Sequence, residues 1–253
     1  MFNLRLDTVR AIHEATRSMP PIPLDDAVWP ESWKRVEYKE YEHFPTHTLP
    51  PPAGPATGLM DVLRERATVR SFNVHAPLSL GTLSTFLYWS CGKKESGPEA
   101  RESKRFYPSG GARYPLEVYF YHMGSDELPR GVYHYNVLHH TIERLIHVRD
   151  IERHFKSFSA YPWVHEPPLY LFITALFERN VRKYGERGYR FVLFEAGALL
   201  QNIYLVAGAL SLGCSPIGSA LDEKFAALCD LREDEQFLLS VVIGEPASVV
   251  RQK

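Results

Sequence analysis

Cysteine is scarce in this chain, and the three present, Cys91, Cys214 and Cys229, form no Cys-x-x-Cys pair. An odd, scattered set argues against a disulfide framework and offers no zinc-ribbon spacing. The 11 histidines supply no His-Glu-x-x-His helix, and Pro45 interrupts the helical spacing of His43 and His47. No metal site is therefore expected. Excess charge is also missing: 29 Lys and Arg stand against 30 Asp and Glu, a net charge of −1. That balance lacks the basic footprint of a nucleic-acid binder. No membrane span is expected from any stretch, and the N-terminus carries acidic residues without the apolar run of a secretory signal. A cytoplasmic protein away from membranes is expected. The phosphate loops Gly-Lys-Ser/Thr and Gly-x-Gly-x-x-Gly are absent too.

What is present is a core-forming composition. The 253 residues are 45% hydrophobic, enough for one large domain or two small ones. Residues 1–58 read as an N-terminal extension: an amphipathic helix within Leu4–Met19, then proline-punctuated segments lying on a body built elsewhere, with Trp29 and Trp33 anchoring them. The body, residues 59–253, starts with a short helix at Leu59–Leu63. A second helix follows over 78–92, with Ser79 as N-cap and Gly92 past its end. Residues 92–105 read as a polar loop. Strands are expected at 116–123, 131–137, 141–147, 169–177 and 237–246. Between the last two strands, residues 188–213 are too long and too evenly apolar for a strand and read as a buried helix, followed by a short amphipathic helix over 221–231. Strands and helices do not alternate strictly, which favours an α+β fold over a doubly wound sheet. Gly197, Ala198, Ala207 and Gly208 would let another backbone approach the long helix, which is either the spine of a dimer or a central helix within one subunit.

Four clusters carry groups capable of chemistry. Arg66, Thr68 and Arg70 offer two guanidinium forks and a hydroxyl after a helix, a donor set suited to phosphate or, equally, a solvated helix end. Pro108, Ser109, Gly110 and Gly111 allow close backbone approach to a ligand, or simply turn into a strand. Lys183 and Tyr184 lie in the charged run 182–189, either a base and proton relay or a solvated loop. Residues 215–219, with Gly218 and Ser219, read as a loop whose amides could line a cofactor's edge. Glu195 is an odd carboxylate on the buried helix and should pair with Arg190 or a backbone group.

Taken together, R-A-T-V-R-S-F (66–72), P-S-G-G-A-R-Y-P (108–115), G-V-Y-H-Y (131–135), K-Y-G-E-R-G-Y-R (183–190), E-A-G-A-L-L-Q-N (195–202), P-I-G (216–218) and G-E-P (244–246) resemble the nitroreductase superfamily. More closely they look like its SagB-type branch, which includes azoline dehydrogenases of peptide natural-product biosynthesis. The leader's H-E at 13–14 and W-P at 29–30 fit that branch as well. The resemblance implies a nitroreductase-like fold, a mainly antiparallel sheet flanked by helices, and an intertwined homodimer with FMN at its interface. Arg66, Thr68 and Arg70, with the backbone of Ala67, would hold the phosphate and ribityl chain. Pro108, Ser109, Gly110 and Gly111 would approach the flavin from the partner subunit, and Gly218 and Ser219 would lie near the isoalloxazine edge. Ala67 departs from the Arg or His often found there, and Arg251 is a weak match for a C-terminal phosphate ligand. Lys183 and Tyr184 match a catalytic Lys-Tyr pair, with flavin taking hydride from a thiazoline or oxazoline, Lys183 taking the proton and oxygen reoxidising the flavin. The substrate could be peptide, carrier-bound or a free heterocycle. The alternatives are an NAD(P)H-dependent nitroreductase or flavin reductase, and a non-catalytic scaffold within a biosynthetic complex.

Overall fold

The most apolar strands set the centre of the molecule. LEVYFYH folds as β2 (Leu116–His122) and LYLFITA as β5 (Leu169–Ala175), and every residue of both is buried. Continuous burial means that both sheet faces are covered. Val118, Phe120, Leu171 and Ile173 join one apolar cluster, while Tyr119, Tyr121, Tyr170 and Phe172 join a second on the opposite face. The computed structural model describes residues 6–54, 57–94, 104–145, 161, 164, 167–218, 222–229 and 231–247. Leu4, most of the expected 92–105 loop, the end of the expected strand at 146–147, Ser219 and Arg251 lie outside these residues.

The other strands are β1 (Thr46–Thr48), β3 (Gly131–Asn136), β4 (Thr141–Leu145), β6 (Gly213–Ile217) and β7 (Gln236–Gly244). Their order is β1-β4-β3-β2-β5-β7-β6, with every neighbouring pair antiparallel. The expected α+β class, with an antiparallel sheet flanked by helices, is what forms. The helices are α1 (Leu6–Ala15), α2 (Glu31–Lys34), α3 (Leu59–Glu65), α4 (Leu80–Cys91), α5 (Glu178–Tyr184), α6 (Gly188–Ala209) and α7 (Asp222–Leu228). Leu83, Phe86 and Leu87 of α4 and Val192, Leu199 and Ile203 of α6 fill the first cluster, and Phe225 of α7 fills the second.

The ends of α4 are set locally: Ser79 Oγ accepts the Thr82 N–H, and the Gly92 N–H returns to Tyr88 O at 2.8 Å. Such a cap is worth about 1 kcal/mol. Three readings need correction. Residues 213–217 are an edge strand, not a loop, and Pro216 is tolerated there because an edge strand leaves N–H groups unpaired. The charged run begins as helix α5, held by packing on α6, before the turn at Gly185. Finally, Glu178–Ala209 is long and apolar enough to cross a membrane by length and composition alone, although its inner face packs into the sheet core.

Helix α6 is not buried all round in one chain. Tyr189, Leu193 and Phe194 reach the surface, with Phe194 68% exposed, and Leu59, Met60 and Leu63 of the neighbouring α3 are exposed as well.

Candidate active site

Arg66 caps the end of α3, its N–H bonded to Val62 O. The chain then runs alongside β6: the Val69 N–H donates to Cys214 O at 3.0 Å, and Thr68 bridges Cys214. Gly213 makes this approach feasible, since a Cβ there would meet Val69 at 2.8 Å. Thr68 Oγ1 lies 2.9 Å from the Tyr204 hydroxyl, and the Arg66 guanidinium sits 5.2 Å over the Tyr204 ring. Arg66, Ala67 and Arg70 are exposed, and among the described residues neither arginine makes an ion pair. Gly218 follows β6 and has open space around it. One phosphate-suited group is thus gathered at the C-terminal half of α6.

Pro108, Ser109, Gly110 and Gly111 lie elsewhere. They form a tight turn in which Gly111 takes φ +65° and the Ser109 hydroxyl accepts the Tyr114 N–H at 2.9 Å. Gly110 backs onto Phe191 of α6, and a Cβ on Gly111 would fall 2.0 Å from the Tyr184 hydroxyl. The turn therefore packs against the Lys183–Tyr184 pair at the start of α6. From Phe191 to Tyr204 the helix rises by about 20 Å. A single chain consequently presents two separate halves of the expected site.

Lys183 is buried, and its Nζ lies 3.5 Å from the centroid of Trp29, 5.8 Å from Trp33 and 5.6 Å from Tyr184. Burial, with help from the Arg113 charge, holds its pKa below the usual lysine range. Burial raises that of Tyr184, against the opposing Arg113 charge. The Tyr184 ring meets Phe191 edge-on at 4.9 Å.

Glu195 points into the same region but not to the expected partner. Arg190 Nε donates to Thr16 Oγ1 at 2.8 Å, and Arg190 also binds His13 O. Among the described residues neither Glu195 oxygen completes a hydrogen bond of good geometry, although the Ser109 hydroxyl is close enough to favour its ionised form. Burial dominates and pushes Glu195 up to about 8, against Ser109, Arg105 and Arg179.

A second buried polar group was not visible in the sequence. Arg179 of α5 binds Glu117 Oε1 at 2.6 Å, His134 Nδ1 lies 2.8 Å from Glu143, and His134 Nε2 lies 3.4 Å from Glu117. Burial alone would raise Glu117; the Arg179 charge and the His134 hydrogen bond override it and bring Glu117 down to about 2. Beside this group opens a polar cavity of about 740 Å³, lined among others by Glu37, Lys39, Arg179 and Arg182, and none of the described candidate site residues lines it.

Comparison with known proteins places the fold. Residues 63–245 match the nitroreductase family. The chain belongs to that family. A nitroreductase-family protein of Methanocaldococcus jannaschii is 32% identical over 183 residues, covering 72% of this chain and 89% of its own. The microcin B17-processing protein McbC of Escherichia coli is 32% identical over 123 residues, 46% of this chain and 45% of McbC. The trifolitoxin-processing protein TfxB of Rhizobium leguminosarum is 33% identical over 148 residues, 54% of this chain and 39% of TfxB. Among solved structures, a Ralstonia eutropha nitroreductase homologue aligns at TM-score 0.65 and 26% identity, over 91% of this chain and 99% of its own. The E. coli microcin synthetase complex McbBCD, with truncated pro-MccB17 bound, shares the fold at TM-score 0.63 and 23% identity, over 95% and 92% of the two chains. This nitroreductase-family chain is an oxidoreductase, of a family that typically binds flavin.

Proposed function

We propose that this nitroreductase-family protein is an FMN-dependent dehydrogenase that aromatises a thiazoline or oxazoline ring in a peptide, working as a cytoplasmic homodimer. The division of the site along α6 carries this reading. Arg66, Thr68 and Arg70 stand about 20 Å along the helix from Gly110, Gly111 and Tyr184. Pairing two copies through the exposed face of Tyr189, Leu193 and Phe194 would cover apolar surface of a kind that stable dimers bury. It would also let Pro108, Ser109, Gly110 and Gly111 of one copy meet the arginines of the other.

The residues fit the cofactor. Arg66 and Arg70, without ion pairs among the described residues, and the Thr68 hydroxyl suit a phosphomonoester, and the Ala67 backbone adds a donor. Gly218 is exposed and unobstructed, as a backbone edge facing a flat ring requires, and Ser219 follows it. Bound flavin supplies the hydride acceptor. Lys183 takes the proton from the substrate's ring carbon; its burial favours the neutral amine that a base must present. Tyr184, kept protonated by burial, orients the substrate or relays that proton. The likeness to McbC and TfxB supports a peptide substrate and partners in a processing complex.

The test is direct. Purified protein should be yellow, and Arg66→Ala should weaken FMN binding roughly 10- to 100-fold. Lys183→Ala should keep FMN but lose about 10²- to 10⁴-fold in turnover of a thiazoline peptide; full turnover would remove Lys183 as the base. The M. jannaschii relative favours a second reading, an NAD(P)H-dependent reductase. Rapid bleaching of the bound flavin by NADPH alone would select it.

A further inference from the structure

The N-terminal extension lies across the Lys183–Tyr184 end of α6 and is held there in an unusual way. Arg113 donates to the carbonyls of Ser32, Trp33 and Arg35, Arg187 to that of Arg17 at 2.7 Å, and Arg190 to that of His13. Trp33 Nε1 donates back to Arg182 O at 3.1 Å, and Pro20 packs on Gly185. Apolar side chains contribute little to this seating: Met19, Leu24 and Val28 are exposed. The exceptions are Trp29 and Trp33, which meet edge to face at 6.3 Å and turn inward over Lys183. The Lys183 ammonium has no hydrogen bond or ion pair among the described residues; the Trp29 face is the nearest of the three rings around it, with Tyr184 and Trp33 farther out.

We infer that Trp29 is a positioning residue for Lys183, and that the segment from Pro20 to Arg35 forms the outer wall of the reaction chamber. The inference rests on the reading of Lys183 as the base. An indole face attracts an ammonium by about 0.5–2 kcal/mol, more when water is excluded. It therefore fixes a long flexible side chain at one point without a carboxylate, which would hold the amine permanently protonated. A base placed this way keeps both its protonation states accessible and its geometry constant. The wall is also separable. Beyond Trp29 and Trp33 it is pegged by guanidinium–carbonyl bonds and buries little apolar surface, the marks of a segment that opens at low free energy. A substrate peptide can then enter under the wall, with the same arginines available to its carbonyls.

The experiment uses the full-length protein and reads Lys183 directly. Trinitrobenzenesulfonate labelling, followed peptide by peptide in a mass spectrometer, gives the reactivity of Lys183 against Lys94 and Lys104 as exposed controls. Wild type should label slowly at Lys183. Trp29→Ala and Trp29→Leu should raise the rate about fivefold or more, while Trp29→Phe, which keeps a π face, should stay within about twofold of wild type. Bound flavin should be unchanged in all three, and turnover of a thiazoline peptide should fall in kcat rather than KM for Ala and Leu. If Leu protects Lys183 as well as Trp does, the wall is a plain steric cover and the positioning role is overturned. If Lys183 labels as fast as the controls in wild type, the wall itself is overturned. Should Lys183→Ala retain turnover while the labelling pattern holds, the base assignment fails and the cation–π wall stands, so the two readings fail separately.

Discussion

Glu117 and Glu195 are buried to the same extent, each 2% exposed, yet they sit at opposite ends of the carboxylate range. Glu117 is brought down to about 2, while burial pushes Glu195 up to about 8. At neutral pH the first is an anion and the second is mostly a neutral acid. Desolvation acts on both alike; partners make the difference. Glu117 has Arg179 at 2.6 Å and His134 beyond it, joining β2, β3 and α5 in one charged unit. Glu195 has a serine hydroxyl already engaged by the Tyr114 N–H, and two arginines that act only at a distance. A buried charge with its partners is part of the scaffold. A buried acid without them, beside the Ser109–Gly111 turn, is a group whose proton is free to be exchanged when that turn or its surroundings change.

The larger loss on substitution is expected at Glu117. Glu117→Ala would leave the buried Arg179 with the half-exposed Glu37, at 3.7 Å, in place of its close carboxylate, at about 3 kcal/mol. In a chain of this size that lowers Tm by on the order of 10 °C, read by calorimetry at pH 7. Because Glu117 is depressed, its stabilisation is present above pH 4.5 and disappears as the pH falls towards 2. His134 runs the other way: burial alone would lower it, but its bonds to Glu117 and Glu143 raise it, so its contribution is complete below pH 6.5 and fades as the pH rises through the raised value.

At Glu195 the sign reverses. The folded chain holds a proton that the unfolded chain releases, so stability declines as the pH climbs from 4.5 to about 8. Glu195→Gln keeps the shape and removes the ionisation. It should match wild type near pH 4.5 and exceed it by on the order of 3 kcal/mol at pH 8. Urea unfolding at the two pH values checks this, and a pH-independent difference would show that Glu195 has a partner after all.

These two glutamates also show where a sequence is readable. Helix α4 was legible because both its signals are local, the Ser79 hydroxyl at one end and Gly92 at the other. The long apolar run of α6 excluded a strand by length alone. The Arg66–Arg70 cluster was legible as a motif because its residues are adjacent in the chain. The Glu117–His134–Glu143 group was not, because it exists only through register: His134 pairs with Glu143 across β3 and β4, and with Tyr119 across β3 and β2. No spacing rule announces that. Helix α5 and strand β6 were missed for a related reason: a charged run and a Ser-Pro-Ile segment have weak local preferences, and packing on α6 and pairing with β7 decide them. Trp29 was visible as an anchor, but its partner Lys183 lies on an element whose place only the fold reveals.

Ser109 sharpens the contrast on a smaller scale. Its hydroxyl favours the ionised form of Glu195 and accepts the Tyr114 N–H. Ser109→Ala should therefore move the Glu195 midpoint further up and cost about 1 kcal/mol at Tyr114. The carboxyl carbon of Glu195, followed by NMR through a pH titration, reports the first effect separately from the second.

Arg190 gives the smallest effect and the cleanest discrimination. Only five residues along α6 separate it from Glu195, which is why the sequence suggested a pair, yet its guanidinium is taken by Thr16 and the His13 carbonyl. Arg190→Ala should leave the Glu195 midpoint where it is and loosen α1 (Leu6–Ala15), at about 1 kcal/mol or less, seen as faster amide exchange in residues 12–16. Were Arg190 the hidden partner of Glu195, its loss would raise the Glu195 midpoint and leave α1 untouched. The two outcomes move different signals. A single variant thus decides whether Glu195 stands alone by design of the fold or only for want of a neighbour that reaches it in solution.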